Sequence, residues 1–177
     1  PRVHERDGFA ITLWTYYEAG SSSADSPAEY ANALVRLHAG MRKVDVVAPH
    51  FGDRVAEAQL LIDSRDRTPT LPDADRELLN TTLRSLGRAV DGRGATEQLL
   101  HGEPHPGNVI STKNGSLFID HETCCRGPVA FDLAHAPEEV CKSYPDVDQE
   151  LLDECLLLVL AMRAVWRWAR SGACVRG

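Results

Sequence analysis

A short stretch narrows the fold more than any other part of the chain. Residues 101–108 read His-Gly-Glu-Pro-His-Pro-Gly-Asn, and two short β-like runs follow, Val109–Ser111 and Leu117–Ile119. Lys113-Asn114-Gly115 joins these runs, and Asn-Gly between short apolar runs is a strong hairpin signal. The hairpin delivers Asp120, twelve residues beyond Asn108. Any fold for this chain must present a polar loop, a hairpin and the acid at its far end together.

The surroundings read as mainly helical. Val3–Arg6, Asp7-Gly8 and Phe9–Trp14 form a first hairpin, since Asp-Gly suits a tight primed turn. Residues 15–20 leave its second strand, and residues 21–26 are a polar linker. Ser26-Pro27 starts a helix carrying Tyr30, Leu34, Leu37 and Met41 at helical spacing. Residues 46–52 read as loop, 55–63 as helix and 68–73 as a connection. Leu79, Leu83, Leu86 and Val90 predict a helix over 78–90, ended by Asp91-Gly92-Arg93-Gly94. Beyond Pro145 a long helix is expected over 148–169. It is apolar on nearly every face, as in a helix buried within a helical layer. The fold class is therefore α+β, mainly helical.

Composition excludes several alternatives. With 177 residues the chain can bury a sizeable core without metal or disulfide support. Its net charge of −7 argues against nucleic acid, which needs a basic face, and leaves room for a cationic small molecule. Five cysteines, at 124, 125, 141, 155 and 174, form no framework and no C-x-x-C pair. They suit a reducing cytoplasm. The longest apolar run, Cys155–Met162, is too short to span a bilayer.

The loop and hairpin match the needs of phosphoryl transfer. A carboxylate must orient the attacking hydroxyl and take its proton. An amide oxygen and a second carboxylate must hold magnesium against the nucleotide phosphates. Here four residues separate Glu103 from Asn108, and the hairpin carries Asp120. Oxygen donors of this kind suit Mg²⁺.

These residues resemble the aminoglycoside phosphotransferase and choline-kinase-like family, a branch of the protein-kinase-like fold. The family pattern H-G-D-x-H-x-x-N, I-D-x-E and G-P-x-x-x-D-L-A is followed in order and spacing, with Glu103 at the Asp position, by residues 101–108, by Ile119-Asp120-His121-Glu122 and by Gly127-Pro128-Val129-Ala130-Phe131-Asp132-Leu133-Ala134. Leu37-His38-Ala39 looks like the family's early C-lobe helix. The resemblance implies Glu103 as catalytic base, Asn108 and Asp120 as magnesium ligands beside ATP, and Asp132 as a structural acid bracing the loop. His101 and His105 would support the loop, and Thr15, Tyr16 and Glu18 would lie in the hinge that meets adenine. Residues 1–20 would be a residual N-lobe hairpin and hinge. Residues 21–177 would be the C-lobe, with a catalytic loop at 101–108, a metal-binding loop at 119–122 and acceptor-side helices at 132–170.

Two departures matter. Glu103 stands where the family has Asp, and its extra CH₂ displaces the carboxylate by about a bond length. Misplacement of about 1 Å can cost on the order of 100-fold in rate. Either the loop compensates or the site is slow or dead. Second, no Gly-rich phosphate-clamping loop precedes the hinge, so the chain is expected to be a C-lobe fragment that binds nucleotide weakly. The edge of its leftover hairpin invites a second copy, which predicts a homodimer.

The acceptor would be a small molecule with a hydroxyl group. Residues 132–154 hold eight acids and one base, Lys142. They form either a wall that concentrates a cationic acceptor or a solvated helix face. Tyr144, Trp166 and Trp168 are either a cation–π surface for a quaternary amine or core. A cluster of His101, His105, His121 and Glu122 could bind a metal, but no helical H-E-x-x-H or P-C-x-x-C supports a hydrolase or deaminase. The stronger rival is a non-catalytic kinase-like module for binding or assembly.

Overall fold

The computed structural model describes residues 2–18, 26–113 and 115–174. The polar linker, apart from Ser26, and Asn114 of the second hairpin turn lie outside them. The first hairpin is β1 (Arg2–Arg6) and β2 (Phe9–Leu13), antiparallel in the register Val3↔Thr12 and Glu5↔Ala10. Asp7 and Gly8 both take positive φ, 53° and 81°, as a primed turn requires. Every residue from Val3 to Glu18 is exposed, so the hairpin holds together through its own ladder.

Helix α1 (Pro27–Met41) starts where the sequence places it. The Ser26 side chain accepts from Glu29 N–H, and Ser26 N–H donates to the Glu29 carboxylate at 2.8 Å. Helix α2 (Phe51–Asp63) begins earlier than the expected residue 55, because His50 caps it. His50 Nδ1 accepts from Gly52 N–H, and His50 N–H donates to Asp53 at 2.8 Å. Helix α3 (Asp73–Gly92) also starts earlier than the expected residue 78. Its first turn follows Pro72 and is polar, so no apolar period marks it.

Two strands escaped the sequence reading. β3 (Glu97–Leu100) pairs antiparallel with β6 (Cys125–Pro128), in the register Leu99↔Arg126. Each has four residues, β3 has no polar–apolar alternation, and β6 holds Gly127 and Pro128. Between them, β4 (Val109–Thr112) and β5 (Gly115–Phe118) form the expected second hairpin. Short helices α4 (Val129–Leu133) and α5 (Glu138–Ser143) lead into α6 (Gln149–Cys174).

The core lies where α6 meets α2, α3 and α4, around Phe51, Leu83, Phe131, Leu158 and Met162, each at most 1% exposed. The apolar character of α6 does not bury it on all sides. Leu156, Leu157 and Leu160 are 37%, 55% and 64% exposed, because its helical neighbours cover only the faces of Leu151, Cys155, Leu158 and Met162. Cys125, Cys141 and Cys155 are buried, Cys124 is half-buried, and all four are free thiols. Burial pushes the Cys125 and Cys155 thiols up to about 12. The Cys174 side chain lies outside the description. No described helix is long and apolar enough to cross a membrane.

Candidate active site

The loop at 101–108 leaves β3, which β6 pairs, and β6 runs straight into α4. That connection places Asp132 of α4 directly behind the loop. Asp132 is 0% exposed, and its carboxylate accepts from His101 N–H at 2.9 Å, Gly102 N–H at 2.7 Å and His38 Nε2–H at 3.0 Å. A buried carboxylate survives only with such donors. His38 comes from α1, and its Nδ1 lies 2.8 Å from the Tyr144 hydroxyl.

Each loop residue is tied to the next. The buried His101 ring donates from Nε2 to the Ile119 carbonyl at 2.9 Å, while its Nδ1 accepts from Glu103 N–H at 3.4 Å. Burial lowers its pKa, so the ring stays neutral. Gly102 has φ +90°, and a Cβ there would sit 2.0 Å from the Thr123 carbonyl oxygen, so only glycine fits. His105 Nδ1 accepts from Gly107 N–H at 2.9 Å and caps the 3-10 turn at Pro106–Asn108. Asn108 is 9% exposed, and its side-chain nitrogen donates to the Glu103 carbonyl at 3.0 Å. Its amide oxygen is then the atom that a cation could use. Tyr30 of α1 donates its hydroxyl to the Pro104 carbonyl.

The hairpin brings Asp120 alongside. Ile119 N–H donates to the Asn108 carbonyl at 2.9 Å, so Asp120 follows immediately on the residue bonded to Asn108. Asp120 is exposed, takes φ +65° and makes no ion pair among the described residues. The loop and hairpin thus bring together Glu103, Asn108 and Asp120, with His101, His105 and Asp132 supporting them. Thr15, Tyr16 and Glu18 are not linked to this group. They lie in the exposed segment after β2, and Tyr16 is 85% exposed.

Sequence reasoning missed Arg54. From α2 it donates Nη2 to Glu103 Oε1 at 2.6 Å and Nη1 to the Gly102 carbonyl at 2.8 Å. Its guanidinium carbon lies 5.3 Å from the centroid of the Trp166 ring. Nothing in an amphipathic helix marks one arginine for this contact. His135 was missed as well. It is 4% exposed, desolvation lowers its pKa to about 3, and its Nδ1 accepts from Arg163 at 3.3 Å.

Other expected groupings are dispersed. Tyr144 pairs edge-on with His38, while Trp166 stacks on Arg54, so they do not share one aromatic surface. Of the eight acids, Glu150 and Glu154 clamp Arg93, Glu138 pairs with Lys142 and Asp132 is buried. His101 spends one ring nitrogen on Glu103 N–H and the other on the Ile119 carbonyl, which removes it from a histidine metal cluster. His50, Asp91 and Glu97 do lie close together. However, His50 Nε2 donates to Glu97 at 3.0 Å while Nδ1 caps α2, so neither nitrogen is offered to a metal.

Comparison with known proteins gives a consistent result. A model of the phosphotransferase enzyme family matches residues 1–169. A choline/ethanolamine kinase family protein from Mesorhizobium loti superposes with a TM-score of 0.70 at 16% identity, over 98% of this chain and 66% of that one. The choline kinase LicA of Streptococcus pneumoniae gives 0.62 at 15% identity, over 82% and 56%. LicA has also been solved with AMP. The aminoglycoside phosphotransferase APH(3'')-Id of Streptomyces rimosus gives 0.55 at 19% identity, over 77% and 61%. The chain therefore spans less than two thirds of the length of each. Among curated proteins, none matches its sequence.

Proposed function

The chain belongs to the phosphotransferase enzyme family, with its protein-kinase-like fold, and on that premise we propose that it carries the base and cation ligands of a small-molecule kinase. The reaction moves the γ-phosphoryl group of ATP to a hydroxyl of a small acceptor, amino alcohol-like or aminoglycoside-like. The observation that carries this reading is the convergence of Glu103, Asn108 and Asp120 on one loop and hairpin, held by buried Asp132.

Glu103 accepts the proton of the acceptor hydroxyl. The oxygen then bonds to the terminal phosphorus as the bond from that phosphorus to the nucleoside diphosphate breaks. Asp132 keeps the loop backbone in place through its two N–H contacts. The neutral His101 holds the loop to the hairpin through Ile119.

The Asn108 amide oxygen and the exposed Asp120 carboxylate are hard oxygen donors and fit Mg²⁺. When bound, the ion would neutralise charge on the phosphates. Thr15 to Glu18 make no backbone hydrogen bond among the described residues, which fits a segment offering its amides to a purine edge. The AMP complex of LicA supports nucleotide as the donor class. Free, buried thiols support a cytoplasmic setting. The exposed β1–β2 edges support pairing with a second copy, read as a doubled mass in solution.

The test is phosphoryl transfer by the whole gene product to a panel of amino alcohols and aminoglycosides. Glu103→Gln should lower kcat by about 100-fold or more, within the range for loss of a general base. Glu103→Asp should lower it less. Equal rates for wild type and Glu103→Gln would reject the base assignment. Nucleotide binding without transfer to any acceptor would favour the non-catalytic module, the reading supported by glutamate at the family's aspartate position.

A further inference from the structure

We infer that Arg54 is a positioning residue that sets the Glu103 carboxylate in its working place. The inference rests on the phosphotransferase reading and explains how a glutamate serves where the family pattern has aspartate.

The argument starts from length. Glutamate carries one more methylene than aspartate, so its carboxylate has an added torsion and reaches about 1.5 Å further. Unrestrained, it would sample several rotamers at the point where a displacement of about 1 Å matters most. The guanidinium fork removes that freedom. One arm holds the Gly102 carbonyl at 2.8 Å and the other holds Glu103 Oε1 at 2.6 Å. The two acceptors belong to adjacent residues, so Arg54 closes a ring from the loop backbone to the carboxylate. The carboxylate position is thereby measured from the loop itself.

Three further contacts stiffen the ring. Trp166 of α6 lies against the guanidinium, and the Arg54 side chain is only 12% exposed. The Glu103 carbonyl is held by His105 N–H at 2.8 Å and by the Asn108 side chain at 3.0 Å. Gly102 lacks the Cβ that would approach Arg54 Nη1 to 3.1 Å. Oε2 is left to accept the hydroxyl proton. An aspartate at 103 would end one methylene short of the fork. A lysine at 54 has no planar fork to span both acceptors.

The test is a cycle of wild type, Arg54→Ala, Glu103→Asp and the double variant, in the whole gene product, with Arg54→Lys as a milder probe. Arg54→Ala should lower kcat by about 10- to 100-fold with the nucleotide KM changed less than about threefold. In the Glu103→Asp background the same change should lower kcat less than about threefold, because the shorter acid does not use the fork. Arg54→Lys should fall between wild type and Arg54→Ala. An equal loss in both backgrounds, or a rise in kcat on removing Arg54, overturns the inference. Equilibrium unfolding of the same four proteins supplies a readout independent of activity. The unfolding constants should be coupled by at least about threefold, as for contacting residues, and additive effects overturn the clamp. Transfer without coupling rejects the Arg54 inference alone. Coupling with no transfer by the wild type rejects the phosphotransferase reading, and the positioning role falls with it.

Discussion

The loop at 101–108 and the first hairpin are built from similar material and held in opposite ways. Both are short backbone turns with glycine at positive φ, Gly102 at +90° and Gly8 at +81°. The loop is bonded from behind by Asp132, from one side by Arg54 and from the other by Ile119. The hairpin has only its own ladder, and all its described side chains face solvent. A two-stranded hairpin without a packed face is marginal in water. Local strand chemistry is therefore enough to shape a turn, but distant side chains are needed to make one rigid.

The largest expected effect comes from removing the brace. Asp132→Ala strands two loop N–H groups and the His38 ring in the interior, and should cost about 3 kcal/mol or more in urea unfolding, at about 1–3 kcal/mol for each buried group left unsatisfied. An Asp132→Ala protein as stable as the wild type would end the contrast between the two regions. Next is a matched pair of glycine changes. Gly102→Ala forces a Cβ to 2.0 Å from the Thr123 oxygen and holds alanine at positive φ. It should cost at least about 1–3 kcal/mol, the range for backbone strain.

A pH scan sharpens the comparison further. His135, packed on Phe131, has its pKa lowered to about 3 by burial. The unfolded chain then binds a proton that the folded chain refuses. Stability should be full above about pH 6.5 and fall towards pH 3, with a slope near 1.4 kcal/mol per pH unit for one proton. His135→Phe should flatten that slope, and an unchanged slope would show that another group titrates. The smallest effect belongs to the hairpin. Gly8→Ala meets nothing within 4 Å. Whatever strain it adds stays in a unit without a core, so global stability should shift by less than about 0.5 kcal/mol, as for surface changes. Amide exchange should show the hairpin opening well before β3 and β6.

Much of this was legible in the residues themselves. Ser26-Pro27 announces α1, Asn114-Gly115 announces the second hairpin, and the motifs at 101–108, 119–122 and 127–134 announce the phosphotransferase family. These signals are local: a cap, a turn and a spacing act within a few residues. The early starts of α2 and α3 were hidden because a histidine cap and a polar first turn carry no apolar period. The β3–β6 pair was hidden because four-residue strands show no alternation and find each other across the whole site.

What the chain determines alone is therefore the kind of elements and the kind of chemistry. Its glycines, caps and apolar periods dictate local backbone shape, and its loop and hairpin carry carboxylates and an amide at a fixed spacing. What only the tertiary structure decides is which distant group completes that loop. Arg54 on α2 reaches Glu103, and Trp166 on α6 lies against Arg54, because α2 and α6 pack on one core. Asp132 reaches His101 because β6 pairs with β3. Such contacts join residues tens of positions apart, and their geometry follows from packing rather than from any pattern along the chain.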